Sequence, residues 1–176
     1  FMTDKLLNII LSGEWAIDEA YALSQLSHIL FNMSSGQPIV KQSHIIGTMS
    51  ASGQMETYNP TTAQSGSILR LRMSGVMTAA DQLCSDGIQS LSDTLYTAYN
   101  NDNIDGILLE VNSGGGESTA GYILKNALAD KNKPVVVHAM TLGSAALLGT
   151  LPATEIIAAG ESAKIGSIGS YLSVNR

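Results

Sequence analysis

From Ser67 onward, apolar stretches of strand length alternate with stretches of helical period, and this alternation constrains the fold more than any other feature. "SILRLRM" sets Leu69, Leu71 and Met73 against Arg70 and Arg72, the period of two of a half-exposed strand. Ile88, Leu91, Leu95 and Tyr99 then fall on one helical stripe. "IDGILLEV" (Ile104–Val111) is almost continuously apolar, which predicts a strand buried on both faces. Ala120, Ile123, Leu124, Ala127 and Leu128 form a second helical face, ended by "DKNKP". "VVVHAM" (Val135–Met140) predicts another buried strand, "SAALLGTL" a short apolar helix, and "EIIAA" and "IGSIGSY" two closing strands. Strand, helix, strand, helix, strand predicts an α/β fold with a mainly parallel sheet and right-handed crossovers.

The residues before this pattern read differently. Ala16–Phe31 carries Tyr21, Leu23, Leu26, Ile29 and Leu30 at helical spacing, with Asp18 and Glu19 suited to a helix start. "PIVKQSHII" (Pro38–Ile46) has the composition of a strand, whereas Gly47–Ser67 is small, polar and without period, as a mobile loop is. Two units are therefore expected: an N-terminal helical arm and loop over 1–66, and a core over 67–176. The arm carries no recognisable chemistry and is expected to serve as a cap or assembly element.

Charge and cysteine usage exclude several functions. The net charge is −6 and no basic cluster exists, so neither nucleic acid nor another polyphosphate is an expected partner. Cys84 is the one cysteine, which excludes an internal disulfide and multi-cysteine metal sites. His28, His44 and His138 have no metal-ligand spacing and are expected to be structural. No metal and no cofactor are expected. The apolar run in "FMTDKLLNIILSGEW" is too short for a membrane span, so a cytoplasmic protein is expected.

Chemistry concentrates at two strand ends. In sheets of this kind ligands bind beyond the carboxyl ends of the strands, where "NSGGGE" follows one strand and "LGSAA" the next. If these strands are neighbours, the Asn112–Gly116 turn and Ser144 face each other across a crevice. The turn offers backbone N–H groups, and one such donor to an oxyanion is typically worth about 3–4 kcal/mol. Ser144 offers a hydroxyl at a helix start, where the helix dipole favours negative charge. The turn is not a phosphate-binding loop, since no Gly-Lys-Ser/Thr follows, and it lacks the dinucleotide spacing. Nor does Ser144 stand in a G-x-S-x-G elbow. A plain tight turn and a serine chosen for close packing are the alternatives.

"GILLEVNSGGGE", "KPVVVHAMTLGSAALLG" and "ATEIIAAGESAKIGSIGSY" resemble, in order and spacing, the signal peptide peptidase A family of serine peptidases, and most closely in kind its soluble phage relatives, the prohead proteases. The resemblance runs from Ile68 to Tyr171. It implies the Clp protease/crotonase fold, a spiral of repeated ββα units, and a homo-oligomer acting on a peptide or protein in a bacterial or phage-infected cell. It implies Ser144 as nucleophile, with Ala145 N–H as one oxyanion donor and the second at Gly115, with Gly116 beside it. Asn112, Ser113, Gly114, Gly143 and the stretch Gly166, Ser167, Ile168 and Gly169 would line the substrate cleft. Asn112 and Gly114 depart from the family's Asp-Ser-Pro-Gly-Gly, which loosens the turn and leaves the N–H donors in place. The related Clp protease uses a histidine where this chain reads "KIGSIGSYL" and has none.

The family's base is a buried neutral lysine. A lysine of ordinary pKa, about 10.4, is protonated at neutral pH, and desolvation can lower that by about 3–5 units. The resemblance puts this lysine after the "GSIG" strand and past Arg176, so the sequence is expected to stop short of its general base. Lys164 precedes "IGSIG" and is expected to be a solvated strand-edge lysine; His138 is expected to be packed inside its strand. The expected function is thus a serine endopeptidase of Ser–Lys type, inactive as this chain alone. The alternatives are a non-catalytic oligomeric scaffold of the same fold and, third, a crotonase-like acyl-CoA enzyme, which the lack of a basic cluster disfavours.

Overall fold

The computed structural model describes residues 15–17, 43–81 and 85–168. Its strands are β1 (Trp15–Ile17), β2 (Ile45–Met49), β3 (Met55–Glu56), β4 (Ser67–Ser74), β5 (Ile104–Ser113), β6 (Gly115–Glu117), β7 (Val135–Gly143), β8 (Glu155–Ala158) and β9 (Lys164–Gly166). Its helices are α1 (Ile88–Tyr99), α2 (Ser118–Ala129) and α3 (Ser144–Thr150). The main sheet runs β3-β2-β4-β5-β7-β8, with β9 pairing the far end of β7. β4, β5, β7, β8 and β9 are parallel, and β2 and β3 add antiparallel strands at one edge. The expected α/β class with a mostly parallel sheet is therefore what the chain forms.

Strand order along β4-β5-β7-β8 never reverses. Right-handed crossovers then put every connecting helix on one face of the sheet. Burial follows that rule. Leu69, Leu71, Leu109, Val135, Val137 and Ala139 are at most 0% exposed and meet α1 and α2, whose Leu91, Leu95, Leu124 and Leu128 are equally buried. On the other face Arg72, His138, Met140 and Ile157 are exposed, and Arg70 forms an ion pair with Glu110. The expected burial of β5 and β7 on both faces is thus wrong for the described residues, and so is the packing of His138. Apolar Leu108 and Val136 on the open face, only half-buried, produced the continuous apolar reading.

The polar stretch after residue 47 is not loop throughout. β2 pairs with both β3 and β4, and a turn closes the hairpin through Ser50 N–H to Gln54 O and Gly53 N–H to Ser50 O. β2 (Ile-Ile-Gly-Thr-Met) and the two-residue edge strand β3 (Met-Glu) are too short, and β2 too interrupted by Gly47, to show an apolar period. These strands lie before the expected boundary at 66/67 and share the main sheet. Of the helix expected over 16–31, Ala16 and Ile17 belong to β1 and the remainder lies outside the described residues. Residues 38–42 of the expected strand also lie outside them.

α2 and α3 approach closely enough to need glycine. A methyl on Gly121 would lie 2.9 Å from Ala145 O, and one on Gly149 3.0 Å from Leu124 Cβ. Gly121→Ala should gain about 1 kcal/mol of helix propensity. The clash with a backbone oxygen should outweigh this, at about 1–3 kcal/mol. A net loss of stability, read as a lower urea midpoint at unchanged slope, is expected.

Candidate active site

Pairing of β5 with β7 decides which strand ends meet. Asn112 is opposite Thr141 and Ser113 opposite Leu142, so the two chains leave the sheet side by side. Gly114 then touches Gly143: a methyl on Gly143 would lie 3.2 Å from Gly114 O and 3.3 Å from its Cα. On the other flank β9 places Gly166 opposite Gly143. Ser144, one residue on, stands between the glycine turn and the Gly166–Ser167 segment. Asn112, Ser113, Gly114, Gly143, Ser144, Gly166, Ser167 and Ile168 are therefore brought together, and Gly169 lies outside the described residues. Ser167 and Ile168 are exposed beyond β9.

Ser144 is conformationally unusual. Its φ is +48°, in the left-handed region that costs a side chain about 1–3 kcal/mol. β7 ends at Gly143 and α3 starts at once, so the serine sits on a sharp strand-to-helix turn. A sharp, strained strand-to-helix turn is shared with the nucleophile elbow, but here the G-x-S-x-G sequence is absent and the serine is buried. Small neighbours allow it: Ala145 and Ala146 are 1% and 0% exposed, packed beneath α2. Gly143 provides no side-chain cap, leaving the first N–H groups of α3, Ala145 among them, without a side-chain partner at that position.

The serine does not open onto solvent. Ser144 is 2% exposed, and its Oγ has no hydrogen-bond partner among the described residues. At Ser144 the expected crevice does not open to solvent. β1 pairs with β6 and runs beside α3 at this end of the sheet. Leaving a buried hydroxyl unsatisfied costs about 1–3 kcal/mol.

The turn itself is held by a side chain the sequence reading undervalued. Ser113 Oγ donates to Gly75 O at 2.7 Å and accepts the Gly115 N–H at 3.2 Å. A serine two residues before a glycine is the sequence signal of such a side-chain turn. Gly115 takes φ +106°, which a side chain resists. Its carbonyl accepts from Met77 N–H at 2.9 Å, and Met77 O accepts from Glu117 N–H at 2.9 Å. A methyl on Gly116 would lie 2.1 Å from Met77 O, so this strand admits glycine only. The Gly115 N–H is thus engaged within the turn. Because backbone groups alternate along a strand, the N–H and C=O of Gly116 face β1.

Candidate bases are remote. His138 precedes the end of β7 by five residues, more than about 15 Å at strand rise. Lys164 is exposed and level with Thr141, about 10 Å down the strand from Ser144. His44 is structural as expected, with Nδ1 2.8 Å from Arg72 O and Nε2 3.0 Å from Gly87 O. Its ring ties β4 to the start of α1. His28 and Cys84 lie outside the described residues. Among the described residues no group of three His, Cys, Asp or Glu side chains gathers to hold a metal ion, and no helix is long and apolar enough to cross a membrane.

A comparison of the chain with protein-family models finds no match, and neither does a comparison with curated protein sequences.

An unpartnered buried hydroxyl makes a testable signature. Ser144→Ala should raise stability by about 1 kcal/mol, seen as a higher denaturant midpoint, because it removes an unsatisfied polar group. A serine that packs and hydrogen-bonds would lose stability on the same change. Ser113→Ala should instead lose about 1–3 kcal/mol by orphaning Gly75 O and the Gly115 N–H.

Proposed function

We propose that this chain is the core of a serine endopeptidase of the signal peptide peptidase A type, in the Clp protease/crotonase fold. Ser144 is the nucleophile, the N–H groups of Ala145 and of the Gly115–Gly116 turn receive the oxyanion, and a lysine beyond Arg176 is the base. The observation that carries the reading is Ser144 itself: a strained serine with an unpartnered hydroxyl, set at a strand-to-helix turn between a glycine turn and Gly166–Ser167. Strain and an unsatisfied group at one residue are costs that packing alone does not explain.

Peptide hydrolysis on this reading runs through an acyl-enzyme. Ser144 Oγ attacks the scissile carbonyl and its proton passes to the base. The carbonyl oxygen becomes an oxyanion held by the backbone N–H groups. Collapse expels the amine, which takes the proton, and water then releases the acyl group by the same steps in reverse. For Gly115 to donate, its N–H must leave Ser113 Oγ, so the turn rearranges slightly as substrate enters. No metal and no cofactor take part in the proposed reaction, and the acting species is a homo-oligomer on a peptide or protein substrate in the cytoplasm.

A non-catalytic scaffold is the second reading, favoured by the distance of His138 and Lys164 from Ser144 along β7 and β9. The two differ in activity. General-base help is typically worth about 10²–10⁴-fold, so residues 1–176 alone should cleave fluorogenic casein only feebly. The protein carrying whatever sequence naturally follows Arg176 should regain that factor, and Ser144→Ala should abolish it. Robust turnover by residues 1–176 would overturn the assignment of the base; no turnover by either form would favour the scaffold.

A further inference from the structure

We propose that Trp15–Ile17 occupies, within the same chain, the edge on which an extended peptide substrate pairs, and so holds the Ser144 site closed until a peptide displaces it. This rests on the peptidase reading above. β1 lies antiparallel on β6 with Trp15 opposite Glu117, Ala16 opposite Gly116 and Ile17 opposite Gly115. One edge of β6 is already used by Met77, through Gly115 O and Glu117 N–H. The other edge offers the N–H and C=O of Gly116, and these meet Ala16. The paired edge is thus the glycine turn to which the reading assigns the oxyanion donors.

Two observations support closure by β1. β1 runs beside α3, the helix that begins at Ser144. Ser144 is 2% exposed with its Oγ unpartnered, so whatever covers it excludes water without satisfying it. A substrate would both displace the cover and bring a carbonyl to the orphaned hydroxyl. The occupant's chemistry is that of an extended peptide with a free N–H at the position of Ala16. Pairing through Gly116 uses backbone groups only, so another peptide can replace β1 at that edge.

The test uses the full chain carrying Ser144→Ala, so that binding is read without cleavage. A fluorescein-labelled peptide copying Gly13–Glu19 is titrated against it, with and without Ala16→Pro, which removes the N–H that β1 gives to Gly116. Ala16→Pro should bind the peptide at least about tenfold more tightly. The same peptide N-methylated at its alanine should not bind. Equal affinity with and without Ala16→Pro overturns the proposal. In the unaltered chain the Gly116 amide should exchange hydrogen at least about tenfold more slowly than an open amide. An unprotected Gly116 amide overturns the proposal even where Ala16→Pro fails to fold. Casein cleavage separates the two ideas. Tighter peptide binding with no cleavage, even by the protein carrying the sequence that naturally follows Arg176, leaves this proposal standing and sinks the peptidase. Ser144-dependent cleavage that Ala16→Pro does not raise does the reverse.

Discussion

Backbone contact between Gly114 and Gly143 is the joint on which the site depends. Parallel pairing of β5 with β7 brings the strand ends level, and the missing side chain at Gly143 lets the two turns approach closely. A Cβ at Gly143 would press on the Gly114 backbone at 3.2–3.4 Å and shift the turn by a few tenths of an ångström. The same requirement recurs one layer below, where Gly121 and Gly149 let α2 and α3 close. α3 is thereby fixed against α2, and its first residue against β7. Ser144 lies between two such contacts, Gly143 against Gly114 and Ala145 against Gly121, and holds a left-handed φ despite its side chain.

Ser144 concentrates cost without visible return in the folded chain. Strain and an unsatisfied hydroxyl each amount to about 1–3 kcal/mol, a sizeable share of the margin by which a domain is stable. Neither term is relieved by a neighbour among the described residues. Residues that break local rules tend to be functional sites, where the rest of the fold compensates. On the proposed reading the cost of the hydroxyl falls when an acyl group forms on Oγ, because the oxygen ceases to be an unpaired donor, while the backbone strain remains. The site would then favour the covalent intermediate over the resting state.

The elements after Ser67 were legible because each carries an apolar period that burial enforces: Leu69, Leu71 and Met73 on β4, Leu91 and Leu95 on α1, Leu124 and Leu128 on α2. Bringing "NSGGGE" to "LGSAA" followed from consecutive parallel strands. What escaped reading depends on backbone groups instead. β2 is five residues broken by Gly47, β3 is two residues at the sheet edge, and β1 is three residues paired to a glycine strand. Such pairings leave no hydrophobic pattern. Residues with an apolar stem on an open face, Met140 and Ile157 among them, mislead in the other direction and make a half-exposed strand look buried. The φ of Ser144 has no sequence signal, since serine is not a left-handed residue by preference.

How firmly can three residues hold a site closed? An antiparallel pair such as Ala16 and Gly116 exchanges two backbone hydrogen bonds, each worth about 0.5–1.5 kcal/mol net. Together they amount to about 1–3 kcal/mol, a factor of roughly 5–150 in favour of the closed form. Tethering adds to this, because a segment on the same chain acts at an effective concentration on the order of millimolar. A free peptide that made only the bonds of β1 would therefore lose the competition at micromolar concentration. It displaces β1 only by adding side-chain contacts elsewhere, and the exposed Ser167 and Ile168 beyond β9 lie on the opposite flank of Ser144, where β1 does not pair. Weak, generic peptides are then excluded while those that reach both flanks are admitted. On this account selectivity comes from what a substrate must outcompete as much as from what it touches.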